Sequence, residues 1–210
     1  MPRPRVHDDA LRDRLLDEAT AVVAEGGTRA LTVRDVAARA GTSSSAVYSL
    51  FGGREALLAA VGARAAERFA GHLGSTRGTG DPAADLLALG VAYRRFALAE
   101  PQGYRVMFAS PGAGAAHPAG GPVTEEPTFR VLQDAVRAAL AEGPAADAYG
   151  TRGADAEDAT RAATHVWALA HGWVMLELDG LLPWPPDERD ARYVAALRAA
   201  GPGLLAPPPV

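Results

Sequence analysis

The 210-residue chain contains no cysteine. Disulfides, thiolate metal sites and cysteine nucleophiles are therefore excluded. Lysine is absent too, so all 21 basic residues are arginine. Any phosphate contact must come from arginine, hydroxyls or backbone amides, and a Lys-bearing phosphate loop is ruled out. Long apolar runs are also missing. Charge, Gly or His interrupts each stretch before it reaches the ~20 residues of a membrane span. The opening MPRPRVHDDA has no apolar segment, so no secretory leader is expected, and the cytoplasm is the expected location. There is no Gly-x-Ser-x-Gly elbow, and Ser49 and Ser110 have no evident base. His165 and His171 are six apart, share no helical face and lack a carboxylate pair at useful spacing. The expectation is a protein with no metal, no cofactor, no membrane partner and no catalytic activity.

What is present is an ordinary apolar fraction in a chain long enough for one medium domain or two small ones. The net charge of -4 is unevenly spread. Residues 1–64 carry nine Arg against eight acids, whereas residues 65–210 carry twelve against seventeen. The acidity lies in the second part, so the overall sign does not disqualify the first part from meeting nucleic acid.

The apolar spacing is helical throughout, and no segment alternates at period two for long. Residues 1–7 read as a flexible arm. A first helix starts near Asp8 and carries Leu11, Leu15, Ala19, Val22 and Val23 on one face, with Gly26-Gly27 ending it. Thr32 caps a second helix buried through Val33, Val36, Ala37 and Ala40. Gly41 breaks it, Ser43 caps a third helix running to about Leu50, and Gly52-Gly53 ends that one. A fourth begins near Arg54 and reads through Phe69. Gly71–Pro82, rich in Gly, Ser and Thr, is the best domain boundary. Further helices are expected from Pro82 to Glu100, over Gln102–Ser110, Thr124–Glu142, Asp155–Leu178 and Asp187–Ala200. The loops 111–122 and 143–153 separate three of them, and GPGLLAPPPV reads as a frayed tail. The fold class is all-α, with about nine helices. Residues 1–70 form a three-helix helix-turn-helix head, and residues 71–210 form a helical domain.

Two short helices around a Gly-centred turn, flanked by helices that can bury their inner faces, define a helix-turn-helix. Thr32, Thr42, Ser43, Ser44, Ser45 and Ser49 offer small hydroxyls that can approach phosphates or base edges. Tyr48 adds a phenol, while Arg34, Arg54 and the arm residues Arg3 and Arg5 add charge. The run LTVRDVAARAGTSSSAVYSLFGGREALLAA, residues 31–60, resembles the TetR family of transcriptional regulators. Its VAxxAG helix and turn, its YxxF recognition helix and its ExLL opening of the fourth helix carry the resemblance. The resemblance implies that Thr32, Ser44, Ser45, Tyr48 and Ser49 face double-stranded DNA and that Arg54 reaches phosphate. It also implies that Ala37, Ala40, Val47, Phe51 and Leu57 are core. Positions 44, 45 and 49 depart from the family pattern in being small serines.

In the second part, Trp167, His171 and Met175 recur every four residues and share a helical face. THVWALAHGWVMLELDG, residues 164–180, is similar to the Trp-x-x-x-His-Gly signature of one TetR subgroup. The resemblance implies a regulatory domain for a small-molecule effector of undefined identity. Tyr93, Phe96, Tyr104, Met107, Phe108, Phe129, Trp167, His171 and Met175 are the candidate lining residues, although such aromatics also serve as ordinary core. It further implies a homodimer formed through the helices near 156–178 and 187–200, with Val166, Leu169, Trp173, Val174 and Leu197 as candidate contacts, the alternative for some of them being intrachain core. The function expected is a ligand-responsive repressor on a palindromic operator. The alternative is a ligand- or protein-binding module that keeps the fold without specific DNA recognition.

Overall fold

The computed structural model describes residues 5–76, 78–108, 126–141 and 155–206. Among the described residues there are nine α-helices and no strand. They are α1 (Arg5–Gly26), α2 (Val33–Arg39), α3 (Ser44–Phe51), α4 (Arg54–Gly74) and α5 (Pro82–Ala99), followed by α6 (Pro101–Met107), α7 (Pro127–Ala141), α8 (Ala156–Leu178) and α9 (Pro186–Leu205). The chain divides into two compact units. The first comprises Met1–Arg68 with Glu100–Gly121, and the second Phe69–Ala99 with Pro122–Val210.

The first unit has one apolar centre. Leu15, Leu16, Ala19, Val22 and Val23 of α1 meet Leu31, Val36 and Ala37, Val47 of α3, and Leu57, Leu58 and Val61 of α4. Val106 of α6 joins the same cluster, and α6 packs on α1. The backbone of Arg5 is already helical, so α1 begins earlier than the expected arm allows. Arg3 lies outside the described residues, as do the loops at 111–122 and 143–153.

The second unit packs α7 against α5 and α8, and α9 against α5 and α8. Phe129, Val136, Leu140, Ala159, Ala162 and Ala163 form one cluster. Leu205 is buried in it, and Arg161 donates from Nη1 to the Ala206 carbonyl at 2.9 Å. Helix α9 therefore runs through Pro202 to Leu205 instead of fraying at Gly201. Leu205 brings apolar area to the cluster, which offsets the hydrogen bond that Pro202 cannot donate. The Gly-rich boundary segment also differs from expectation: Gly71 and Gly74 are still helical in α4.

Where α5, α8 and α9 meet, Arg94 is buried and forked onto Glu177. Its Nε and Nη2 donate to the two carboxylate oxygens at 2.6 and 2.7 Å. Its remaining nitrogen, Nη1, donates to Asp190 at 2.6 Å, and its guanidinium lies 5.6 Å from the Tyr193 ring centroid. The hydrogen bonds to Glu177 hold the guanidinium proton more firmly than usual, against the opposing effect of burial. Tyr193 donates to the Gly90 carbonyl at 2.9 Å, and burial raises its phenol above the ordinary tyrosine range. Removing Glu177 would leave the buried guanidinium with two unpaired nitrogens and only the exposed Asp190 as a partner, and breaking a buried pair costs about 3–5 kcal/mol. Urea unfolding of Glu177→Ala should show a loss of that order. The double variant Arg94→Met/Glu177→Leu should recover most of it, because neither charge is then stranded.

Candidate nucleic-acid interface

Local chemistry sets the frame of α2 and α3. Thr32 is extended, and its Oγ1 accepts from the Asp35 amide at 3.1 Å. Ser43 does the same for α3, accepting from the Ala46 amide at 3.3 Å. Between the helices Gly41 has φ +66°, a left-handed conformation that an L side chain resists. Gly52, at φ +87°, closes α3, and its amide donates to the Tyr48 carbonyl at 2.9 Å. Both helices thus start on a hydroxyl cap, and a positive-φ glycine follows each of them.

The rotation of α3 about its axis is set by Val47, which is fully buried. At about 100° per residue, Ser45 and Ser49 lie about 160° away from it, while Leu50 and Phe51 lie within about 60°. The observed burial follows this geometry. Ser45 and Ser49 are exposed, and Leu50 and Phe51 are half-buried against the core. Tyr48, about 100° round, is 58 % exposed, which for a large aromatic is an outlying value.

The expected contact residues divide in two. Thr32, Arg34, Ser43, Ser45, Tyr48 and Ser49 are exposed, whereas Thr42, Ser44 and Arg54 are half-buried. Arg54 has structural partners. Its Nε donates to the Leu31 carbonyl at 2.8 Å, its Nη2 donates to the Thr28 carbonyl at 2.6 Å, and its Nη1 lies 3.6 Å from Glu55. It ties the start of α4 to the loop before α2. Arg39 is likewise occupied, with Glu25 at 3.0 Å and Asp35 at 3.2 Å.

The nine expected ligand residues fall in both units. Tyr104 and Met107 are buried in the first, and Phe108 lies there too, 4.9 Å ring to ring from Tyr104. Tyr93, Phe96, Phe129, Trp167, His171 and Met175 belong to the second. There Trp167 donates from Nε1 to the Tyr93 oxygen at 3.1 Å, and that oxygen lies 3.2 Å from Nδ1 of His171. Phe69 packs on both Tyr93 and Phe96, and Phe129 sits edge-on to Trp167. Burial pushes the His171 imidazole below its ordinary pKa, which favours the neutral ring. A separate cleft lined by Leu73, Asp85, Leu89, Val131 and Ala135 contains none of the nine.

Several residues expected at a subunit interface are occupied within their own chain. Val174 is fully buried. Leu197 lies so close to Gly90 that an added methyl there would meet it at 2.7 Å. Trp173 stacks on Trp184 at 5.6 Å and touches Tyr193. Among the described residues no cluster of His, Asp and Glu could hold a metal ion, and no helix is long and apolar enough to cross a membrane.

A capped helix-turn-helix with an outward second helix, together with a separate all-helical unit, defines a DNA-binding transcriptional regulator. Comparison with known proteins gives the family. Residues 15–61 match the bacterial regulatory proteins of the tetR family, and residues 86–200 match the tetracyclin repressor-like C-terminal domain. The chain belongs to the TetR family, whose members are regulators and not enzymes. No curated protein matches it by sequence. Among solved structures, a protein of unknown function from Rhodococcus sp. RHA1 is 28% identical with a TM-score of 0.72, over 93% of this chain and 95% of its own. The protein SCO4313 is 27% identical with a TM-score of 0.69, over 95% of this chain and 100% of its own. TetR-Q116A from Acinetobacter baumannii AYE, crystallised with minocycline, shares the fold at 22% identity and a TM-score of 0.61, over 91% and 92% of the two chains.

Two measurements check these roles. Arg54→Ala should lower stability by about 1–2 kcal/mol through the lost carbonyl contacts, and Arg54→Lys should not restore it, because an ammonium lacks the fork. For His171 the folded pKa is the lower one, so the unfolded chain binds the extra proton as pH falls. Melting temperature should therefore drop between about pH 7.5 and 5.5, and it should drop less in His171→Gln.

Proposed function

We propose that the chain is a ligand-responsive repressor that binds a two-fold symmetric operator as a homodimer. The observation that carries this reading is the outward face of α3, where Tyr48, Ser45 and Ser49 stand exposed above a helix locked from beneath by Val47. One such helix covers only part of a site. Two related by a dyad would enter major grooves one turn, about 34–36 Å, apart. Thr32, Arg34, Thr42, Ser43 and Ser44 would position the head on the phosphates, with Arg3 and Arg5 as further cations.

Helices α8 and α9 would supply the dimer contact. Leu176 of α8 and Leu181, in the connection between α8 and α9, support this, being large apolar side chains left 46% and 66% exposed. The effector would be a small molecule meeting Tyr93, Phe96, Phe129, Trp167, His171 and Met175, a set rich in aromatic surface with few polar groups. The minocycline complex of the Acinetobacter relative supports a small-molecule effector in this fold. The Trp-x-x-x-His-Gly spacing would place the chain in the corresponding subgroup. Effector binding would favour a state with lower operator affinity, a coupling of two sites through a two-state shift. A cytoplasmic location fits such a role.

Fluorescence anisotropy with a palindromic fragment from upstream of its own gene tests the reading. A specific Kd on the order of 10⁻⁸ M is expected for a dimer at physiological salt. Tyr48→Phe should weaken binding about 2- to 10-fold through one lost hydrogen bond. If the wild-type protein binds no palindromic fragment more tightly than random DNA, the repressor reading fails.

A further inference from the structure

The polar groups on the outward face of α3 are all hydroxyls. Ser45, Tyr48 and Ser49 are exposed, and the remaining positions from Ala46 to Phe51 are apolar. A hydroxyl gives one hydrogen, accepts through its lone pairs and rotates to suit its partner. In the major groove guanine offers two acceptors, adenine an acceptor and a donor, cytosine a donor, and thymine an acceptor beside a methyl. A single rotating hydroxyl can satisfy any of these edges. Discrimination by hydrogen bonds needs two points held at once. Arg, Asn and Gln supply that, typically separating bases about 5- to 100-fold, and α3 carries none of them. The Ser43 and Ser45 hydroxyls also share a hydrogen at 2.8 Å. Whichever one donates, the pair keeps one hydroxyl hydrogen to give outward.

The neighbouring arginines do not fill the gap. Arg54 is held by the Thr28 and Leu31 carbonyls, Arg39 by Glu25 and Asp35, and Arg12 lies over the Phe51 ring at 4.9 Å. Arg29 and Arg34 are exposed and make no ion pair or hydrogen bond among the described residues. They lie in the loop before α2 and on α2, not on α3. Cations so placed can grip phosphates, which fix register without reporting sequence.

We infer that α3 seats the head in the groove without discriminating bases, and that groove shape and deformability select the operator while Arg34 anchors it. The inference rests on the DNA-binding reading above. Selection of full-length protein against a randomised duplex library, in wild type and in the Ser45→Ala/Ser49→Ala double variant, tests it. The double variant should keep the wild-type base preference at every position within about threefold, even if overall affinity falls. Arg34→Ala should weaken all sequences by a similar factor and reduce the salt slope by about one per head. Ser49→Asn should create a new preference of about 5- to 100-fold at one position per half-site. A wild-type preference that disappears in the double variant overturns the inference and leaves DNA binding intact. If wild type binds no duplex at all, the DNA-binding reading fails and the inference falls with it.

Discussion

Burial of Val47 decides which way α3 looks. A helix of eight residues has little stability of its own, so its rotation is set by whichever side chain enters the core. With Val47 seated among Leu15, Leu31, Val36 and Leu57, the remaining positions have no freedom left. Tyr48 and the two serines are exposed because the valine is buried. The caps at Thr32 and Ser43 and the left-handed glycines at 41 and 52 fix where the helices begin and end. They do not set rotation, and the core does not set the boundaries. The interface needs both.

The second unit solves a different problem. Three of its helices, α5, α8 and α9, converge on a buried cation, and every nitrogen of Arg94 has a carboxylate oxygen. An arginine with a carboxylate fork at a helix crossing is a poor source of net stability, but it tolerates few alternative alignments. The pair therefore acts more as a register pin than as glue. The apolar cluster around Phe129 and Leu140 supplies the burial, and it is what recruits the last turn of α9.

The parts that could be read in the sequence are those whose causes are local. Thr32 to Asp35 and Ser43 to Ala46 are three residues apart, and Gly41 and Gly52 announce turns by composition alone. The inward face of α1 and the Trp167 to His171 spacing are periodic. The roles that escaped depend on distant partners. Arg54 has the look of a phosphate ligand beside a recognition helix, yet its carbonyl partners lie 23 and 26 residues upstream. Arg94 and Glu177 are 83 residues apart, and nothing near either marks the pair. Gly201-Pro202-Gly203 has the composition of a tail. Only the distant cluster that takes in Leu205 keeps it helical. In the same way Val174 has the character of an interface residue until its own chain covers it, and Leu197 is half-buried against Gly90.

Separating what holds α3 from what α3 displays has an evolutionary consequence. Ser49 is exposed and contributes nothing to the caps, the turn or the core, and substitutions at such a site usually change stability by less than about 0.5 kcal/mol. A new side chain there can be tried without a folding penalty to be repaired elsewhere. Under the DNA-binding reading proposed above, a head built this way could gain a sequence preference one residue at a time while the protein itself stays equally well folded.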